Sequence, residues 1–356
     1  VKPLPIIRPS LPAFPSRELA KNPVTTFKGG NPRLAGAPVV FSAQATLPNN
    51  KSAVLNAQTL QSGFRTPYFI DEIRITMHTS VIDLNAFLMR GITGLSGLVQ
   101  ILFQTGSHYF SNDAVPVGVL APLFGADYGN QVLATDAGTL ANQIRSFSNV
   151  RWMLPKPLYM PAGDVVLANV TIPDNAFLAS VFGTDPCITV TVTYVGRLIP
   201  QGYQARERHI PWVAWWTKKA SESVKDANTR LRNPFTIPAH VQRFTQRTYS
   251  TSGVSTPAAS RRFLEESHVA QLYLASQPYE SIVISDSRGY AITNKYVPIG
   301  DVFDPARHAW TFGRELSSRE QFNMTMRTEN FSALNPTLAD YITNVGVIGY
   351  RTENAP

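Results

Sequence analysis

From Val39 onward, short apolar runs alternate with turn residues: Tyr68 to Met77, Leu98 to Phe103, Val165 to Ile172 and Ile188 to Val195. In the last of these, Thr189, Thr191 and Thr193 alternate with Ile188, Val190, Val192 and Tyr194, the period-two pattern of a strand with one buried face. Comparable runs return at Phe235 to Thr245, Ser281 to Ser285, Gln321 to Thr328 and Val345 to Tyr350. Helical candidates are few and short: Ser221 to Leu231, Ser260 to Ala275, and a start at Asn335 followed by Pro336, an N-cap with a first-turn proline. The expectation is an all-β chain with short helices.

The punctuation of the first half recurs in the second. Phe64-Arg65-Thr66-Pro67-Tyr68-Phe69-Ile70 matches Leu231-Arg232-Asn233-Pro234-Phe235-Thr236-Ile237, each taken to open a strand. Trp152 with Leu158 parallels Trp310 with Leu316, and Tyr194-Val195-Gly196-Arg197 parallels Ile348-Gly349-Tyr350-Arg351. A helix-like stretch precedes the last pair both times, at Asp174 to Val181 and Asn335 to Ile342. Three matches in one order predict a duplicated unit of about eight strands, the size of a jelly roll. The expected domains are an arm over 1–38, a first roll over 39–202, a basic connector over 203–230 and a second roll over 231–356. Glycine-rich Gly91 to Gly97 and the stretch Ser107 to Leu140 have the composition of long, outward-projecting loops.

Composition sharpens this picture. The chain has 356 residues, 44% hydrophobic and only 16% charged, which excludes a disordered polyelectrolyte or a coiled coil. Its 27 prolines and 22 glycines suit turns between short strands. A single cysteine, Cys187, excludes an intrachain disulfide framework and multi-cysteine metal sites. No apolar run is long enough to span a bilayer as a helix, and no signal-peptide stretch opens the sequence, so a soluble, cytosolically made chain is expected.

The formal charge of +8 is concentrated. Residues 1–38 hold Lys2, Arg8, Arg17, Lys21, Lys28 and Arg33 against Glu18, for +5; residues 203–262 hold eleven basic and three acidic groups, for +8; the remainder sums to −5. Pro3, Pro5, Pro9, Pro12, Pro15, Pro23, Pro32 and Pro38 keep the arm extended. Such segments attract polyanions, nucleic acid or anionic lipid. No sequence-specific nucleic-acid motif accompanies them.

Catalytic motifs are missing. Asp71-Glu72 and Glu265-Glu266 are adjacent carboxylates, and strand neighbours point to opposite faces, so the first pair cannot share acid–base work. The histidines lack metal-ligand spacing, Gly-x-Ser-x-Gly and phosphate-binding loops do not occur, and no catalytic residue or cofactor is expected. Asp301, Asp304 and His308 are the residue types of a divalent-ion loop, although a polar turn around Pro305 accounts for them as well; no metal is assigned. Trp212, Trp215 and Trp216 fall at helical spacing and are followed by Lys218 and Lys219, which fits either a bilayer interface or a plug between two domains.

Two rolls, a proline-rich basic arm, one cysteine and no catalytic motif resemble the double jelly-roll major capsid proteins of icosahedral viruses, the adenovirus-like lineage, some with an internal membrane. The resemblance rests on architecture. It implies a non-enzymatic virion subunit, assembled in the host cytoplasm, that forms homotrimeric, pseudo-hexagonal capsomers contacting neighbouring capsomers, penton proteins and minor capsid proteins. Compact rolls fit a small tailless bacteriophage-like particle. The arm and connector then face the interior, toward membrane lipid or genome. Two other classes share parts of this pattern: a two-domain β-sandwich carbohydrate-active enzyme or glycan-binding module, and a single-roll shell protein with a protruding domain, as in small RNA viruses, whose second half would differ in topology.

Overall fold

The structure is a computed structural model that describes residues 36–48, 51–56, 67–80, 99–106, 108–120, 131–133, 145–172, 187–199, 205–219, 222, 224–226, 232–233, 235–250, 280–286, 289–293, 295–303, 309–328 and 341–354. Its first half contains β1 (Pro38–Pro48), β2 (Lys51–Asn56), β3 (Tyr68–Ser80), β4 (Gln100–Thr105), β5 (His108–Tyr109), β6 (Val115–Pro116), β7 (Gln131–Leu133), β8 (Arg145–Met160), β9 (Val166–Ile172) and β10 (Cys187–Leu198). A 3-10 turn, Val117–Leu120, follows β6. The second half contains β11 (Glu207–Lys219), β12 (Val224–Asp226), β13 (Ala239–Ser250), β14 (Glu280–Asp286), β15 (Val297–Pro298), the short helix α1 (Ile299–Val302), β16 (Ala309–Leu316), β17 (Phe322–Thr328) and β18 (Tyr341–Asn354).

The strands follow the alternation in the sequence. In β9, Val166, Ala168, Val170 and Ile172 are buried while the residues between them are not. In β10, Val190, Val192 and Tyr194 enter the core beside Ile73, Ile75 and Met77 of β3. Stacking two such half-apolar sheets removes both inner faces from water.

Strand order settles the architecture. The sheets of the first half run β1-β10-β3-β8-β7 and β2-β9-β4-β5, with β6 also beside β4; those of the second run β11-β18-β13-β16 and β12-β17-β14-β15. Counting eight principal strands in each half, both give first-eighth-third-sixth facing second-seventh-fourth-fifth. Among the described residues the strand pairings within these sheets are antiparallel. This is the jelly-roll order, present twice. The single-roll alternative, which requires an unlike second half, does not hold.

The halves also share irregularities. Between β3 and β10 the register shifts so that Asp71 is an extra residue beside Gly196. Between β13 and β18 it shifts so that Gln242 is extra beside Gly349. Each is a β-bulge on the third strand, facing a glycine on the eighth. Trp152 lies opposite Ile73 and Trp310 opposite Phe244, so the expected tryptophan correspondence is real. The terminal match is displaced by one residue: Gly196 corresponds to Gly349, not to Tyr350. In the remaining match β13 begins at Ala239, later than Phe235.

Four expectations change. Most of the 203–230 connector is strand: β11 is the first strand of the second roll and pairs along its length with β18, and Val224–Asp226, expected in a helix, pairs with β17. The second roll accordingly starts well before residue 231. The tryptophans misled because both faces of β11 are covered, which hides the polar alternation of an ordinary strand. Trp212, Ala214 and Trp216 enter the second core, whereas Val213 belongs to the first and Trp215 packs against it. Residues 115–120 of the expected outward loop are buried. Gly91 to Gly97 and the helical candidates at 174–181 and 260–275 lie outside the described residues, as do 335–340 at the last one.

Candidate functional site

β10 ends at Leu198 beside the start of β1, and β11 begins at Glu207 beside the end of β18. The short link brings these two ends together, so the rolls stand side by side with the same end down. The outer face of the sheet containing β11, β18 and β13 then lies against the β4–β8 side of the first roll.

The upper part of this seam is apolar and closely fitted. Val213 donates its N–H to the Phe110 carbonyl at 2.7 Å, and Ser111 bridges Val213 in parallel. Phe110 stacks on Phe103 and meets Trp152 edge-on. Val119 of the 3-10 turn sits over Gly346, where a Cβ would come within 2.1 Å of Val119 Cγ1. The Thr245 hydroxyl donates to the Val119 carbonyl at 2.7 Å. Beside it Arg243 is buried, and desolvation pushes its guanidinium down to about 10.

Toward the base the seam becomes ionic. Arg208, at the start of β11, reaches into the first roll, donating to Thr105 Oγ1 at 2.7 Å and pairing with Asp164 at 3.3 Å. Burial lowers its pKa, against the opposing pull of Asp164 and Glu353. Arg351 donates to Glu353 at 2.7 Å and to the Tyr109 carbonyl at 3.3 Å, and lies 3.8 Å over the Phe235 ring. His108 of the first roll meets Glu353 at 3.3 Å. These contacts offset part of the cost of taking the cations out of water.

His209 adds a titrating group. It shares a 3.0 Å hydrogen bond with Thr352, and its ring meets Tyr350 edge-on. Burial, with Lys156 and His240, holds its imidazole below the usual range, against Glu207. As pH falls below about 6.5, the unfolded chain takes up a proton that the folded chain declines, so stability is full above that pH and is lost toward the folded pKa. The midpoint of thermal unfolding is therefore expected to fall as pH drops below about 6.5. His209→Gln should flatten that fall; an unchanged slope would remove His209 from the account.

The anticipated residues are scattered. Lys2, Arg8, Arg17, Lys21, Lys28 and Arg33 lie outside the described residues, as do Asp304 and His308. Asp301 is exposed on α1, and among the described residues no group of three His, Cys, Asp or Glu side chains could hold a metal. Trp212, Trp216 and Lys218 are buried, and Lys219 ends β11. Among the described residues no helix is long and apolar enough to cross a membrane. Of the basic groups counted over 203–262, Arg208, Lys218 and Arg243 are buried, so that charge is not all available to a polyanion. Phe110, Val119, Arg208, Gly346 and Arg351, which build the seam, were not anticipated. One signal pointed to part of it: Val115-Pro116-Val117-Gly118 recurs as Val297-Pro298-Ile299-Gly300.

No protein-family model matches the sequence, and no curated protein matches it. Among solved structures the chain is similar to one of Sulfolobus Turreted Icosahedral Virus (11% identity, covering 89% of this chain and 91% of that one, TM-score 0.47). It is also similar to the major capsid protein P2 from bacteriophage PM2 (6% identity, 89% and 98% covered, TM-score 0.43) and to the mavirus major capsid protein (10% identity, 99% and 96% covered, TM-score 0.34).

Proposed function

We propose that the chain is a non-enzymatic structural subunit of an icosahedral viral shell, self-associating as a homotrimer whose six rolls tile as a pseudo-hexagon. The observation that carries this reading is the repeated roll: two units of one strand order are joined by a fitted seam. A unit that already packs against its own duplicate is suited to ring closure by a heterologous contact. The domains under this reading are an arm before Pro38, a first roll through β10, and a second roll from β11 onward. Under this reading the basic arm before Pro38 carries its positive charge toward the particle interior, near lipid or genome, and penton and minor capsid proteins are the further partners.

Light scattering on the purified chain tests the reading directly. A trimer is expected, and a strict monomer at every concentration would refute it. Deleting residues 1–37 should leave trimers that form but shells that do not, checked by electron microscopy of assembled material.

A further inference from the structure

The duplication makes the seam a template. Gly196 and Gly349 occupy the same place beside the same bulge, so β1 and β10 can be matched to β11 and β18 residue by residue. Val40 then corresponds to Val213, Thr193 to Gly346, and Arg74 to Thr245. On the other side of the contact, the pairing of β6 with β4 and of β15 with β14 sets Val119 in correspondence with Asp301. Phe110 corresponds to Ile292, since their amides donate to Phe103 and Ile284 at equivalent points.

The seam residues are covered and their counterparts are not. Val213 is 1% exposed and Val40 is 61% exposed. Val119 is buried and Asp301 is exposed; Phe110 is buried and Ile292 only partly so. The changed residues are also complementary. Where the seam sets Thr245 under Val119, the counterparts are Arg74 and Asp301. Arg74 and Arg151 both contact the carboxylate of Glu72, so this face is rich in cationic groups. An arriving carboxylate would add a counter-charge beside Arg74.

We infer that the outer face of the first roll, around Val40, Thr193 and Arg74, receives the second roll of another copy of this chain, with Asp301 of that copy over Arg74 and its Ile292 carbonyl accepting from the Val40 amide. The inference rests on the self-association proposed above and names its contact. The intermolecular interface repeats the intrachain seam, with an ion pair in place of the Thr245–Val119 hydrogen bond. That substitution separates the two: an apolar joint within the chain and a salt-sensitive one between chains.

Cysteine pairing tests it. A Cβ on Gly346 would stand 3.5 Å from the Val119 Cβ, within disulfide range, so Thr193 and Asp301 of two copies should also be bridgeable. In a Cys187→Ser background, Thr193→Cys combined with Asp301→Cys should give covalent multimers on mild oxidation, while either change alone gives none and the reduced double variant, having lost the Asp301 carboxylate, associates more weakly than its parent. As a second measure, Asp301→Arg should raise the concentration for association by at least about tenfold, since like charges then meet. If the parent associates but the pair does not cross-link and Asp301→Arg is silent, this contact is wrong and the shell-subunit reading survives. If the parent never associates, both fall.

Discussion

Gly349→Ala and Gly196→Ala are each expected to prevent stable folding, or to cost about 3 kcal/mol or more where the chain still folds. The added Cβ would lie 1.8 Å from the Phe69 carbonyl oxygen at Gly196, and 2.1 Å from that of His240 at Gly349. Both obstacles are backbone, so no side-chain rotation relieves them. The bulge at Asp71 or Gln242 presses the third strand toward the eighth at these points, and moving the strand would disturb hydrogen bonds on both sides. Gly313→Ala is the control: nothing lies within 4 Å of its added Cβ, and the effect should stay within about 0.5 kcal/mol. Thermal unfolding of the three variants checks the prediction. Tolerance at Gly196 or Gly349 would mean that the bulges are not the fixed points of the duplication.

Gly346→Leu is the second large effect, and it acts on the seam. Alanine alone would put a Cβ 2.1 Å from Val119 Cγ1 and 2.7 Å from Thr245 Oγ1. Because Val119 can move, Gly346→Ala should cost about 1–3 kcal/mol, the range for overpacking. Leucine leaves no room for the 3-10 turn. It should push Val119 away, strand the buried Thr245 hydroxyl at about 1–3 kcal/mol more, and uncover Val213 and Ile348, which complete the first core. The rolls should then unfold in two steps rather than one, visible by calorimetry. Val119→Ala should rescue part of the loss in Gly346→Ala, since the two sites touch and are therefore coupled. Independent, additive losses would show that the seam does not depend on this fit.

The self-contact inferred for the first roll belongs to the same economy of design. One surface, duplicated, serves once inside the chain and once between chains. Residues such as Val40 and Asp301 look unremarkable singly; they acquire meaning from their counterparts in the seam. The basic content of residues 203–262 shows the converse, since cations that suggested a polyanion-binding connector are partly consumed in holding the rolls together.

Strand character, the two-fold repetition and the tryptophan correspondence were legible because they rest on local alternation and on residues that recur at matching points. Period two needs only neighbours in the chain. Trp152 and Trp310 marked equivalent strands correctly for that reason. The seam was not legible: β11 is covered on both faces by two different cores, which erased the polarity that identifies a strand and left tryptophans at a spacing that imitates a helix. Likewise, Val115 to Leu120 carried loop composition, yet their backbone is anchored by β4, Val115, Val117, Val119 and Leu120 lie in the first core, and Val119 also meets Gly346 of β18. By itself, then, the sequence determined that the chain is built of strands and built twice. Only the tertiary structure decided where the second unit begins and which face meets which, because those depend on contacts between residues far apart in the chain, about which alternation along one strand carries no information.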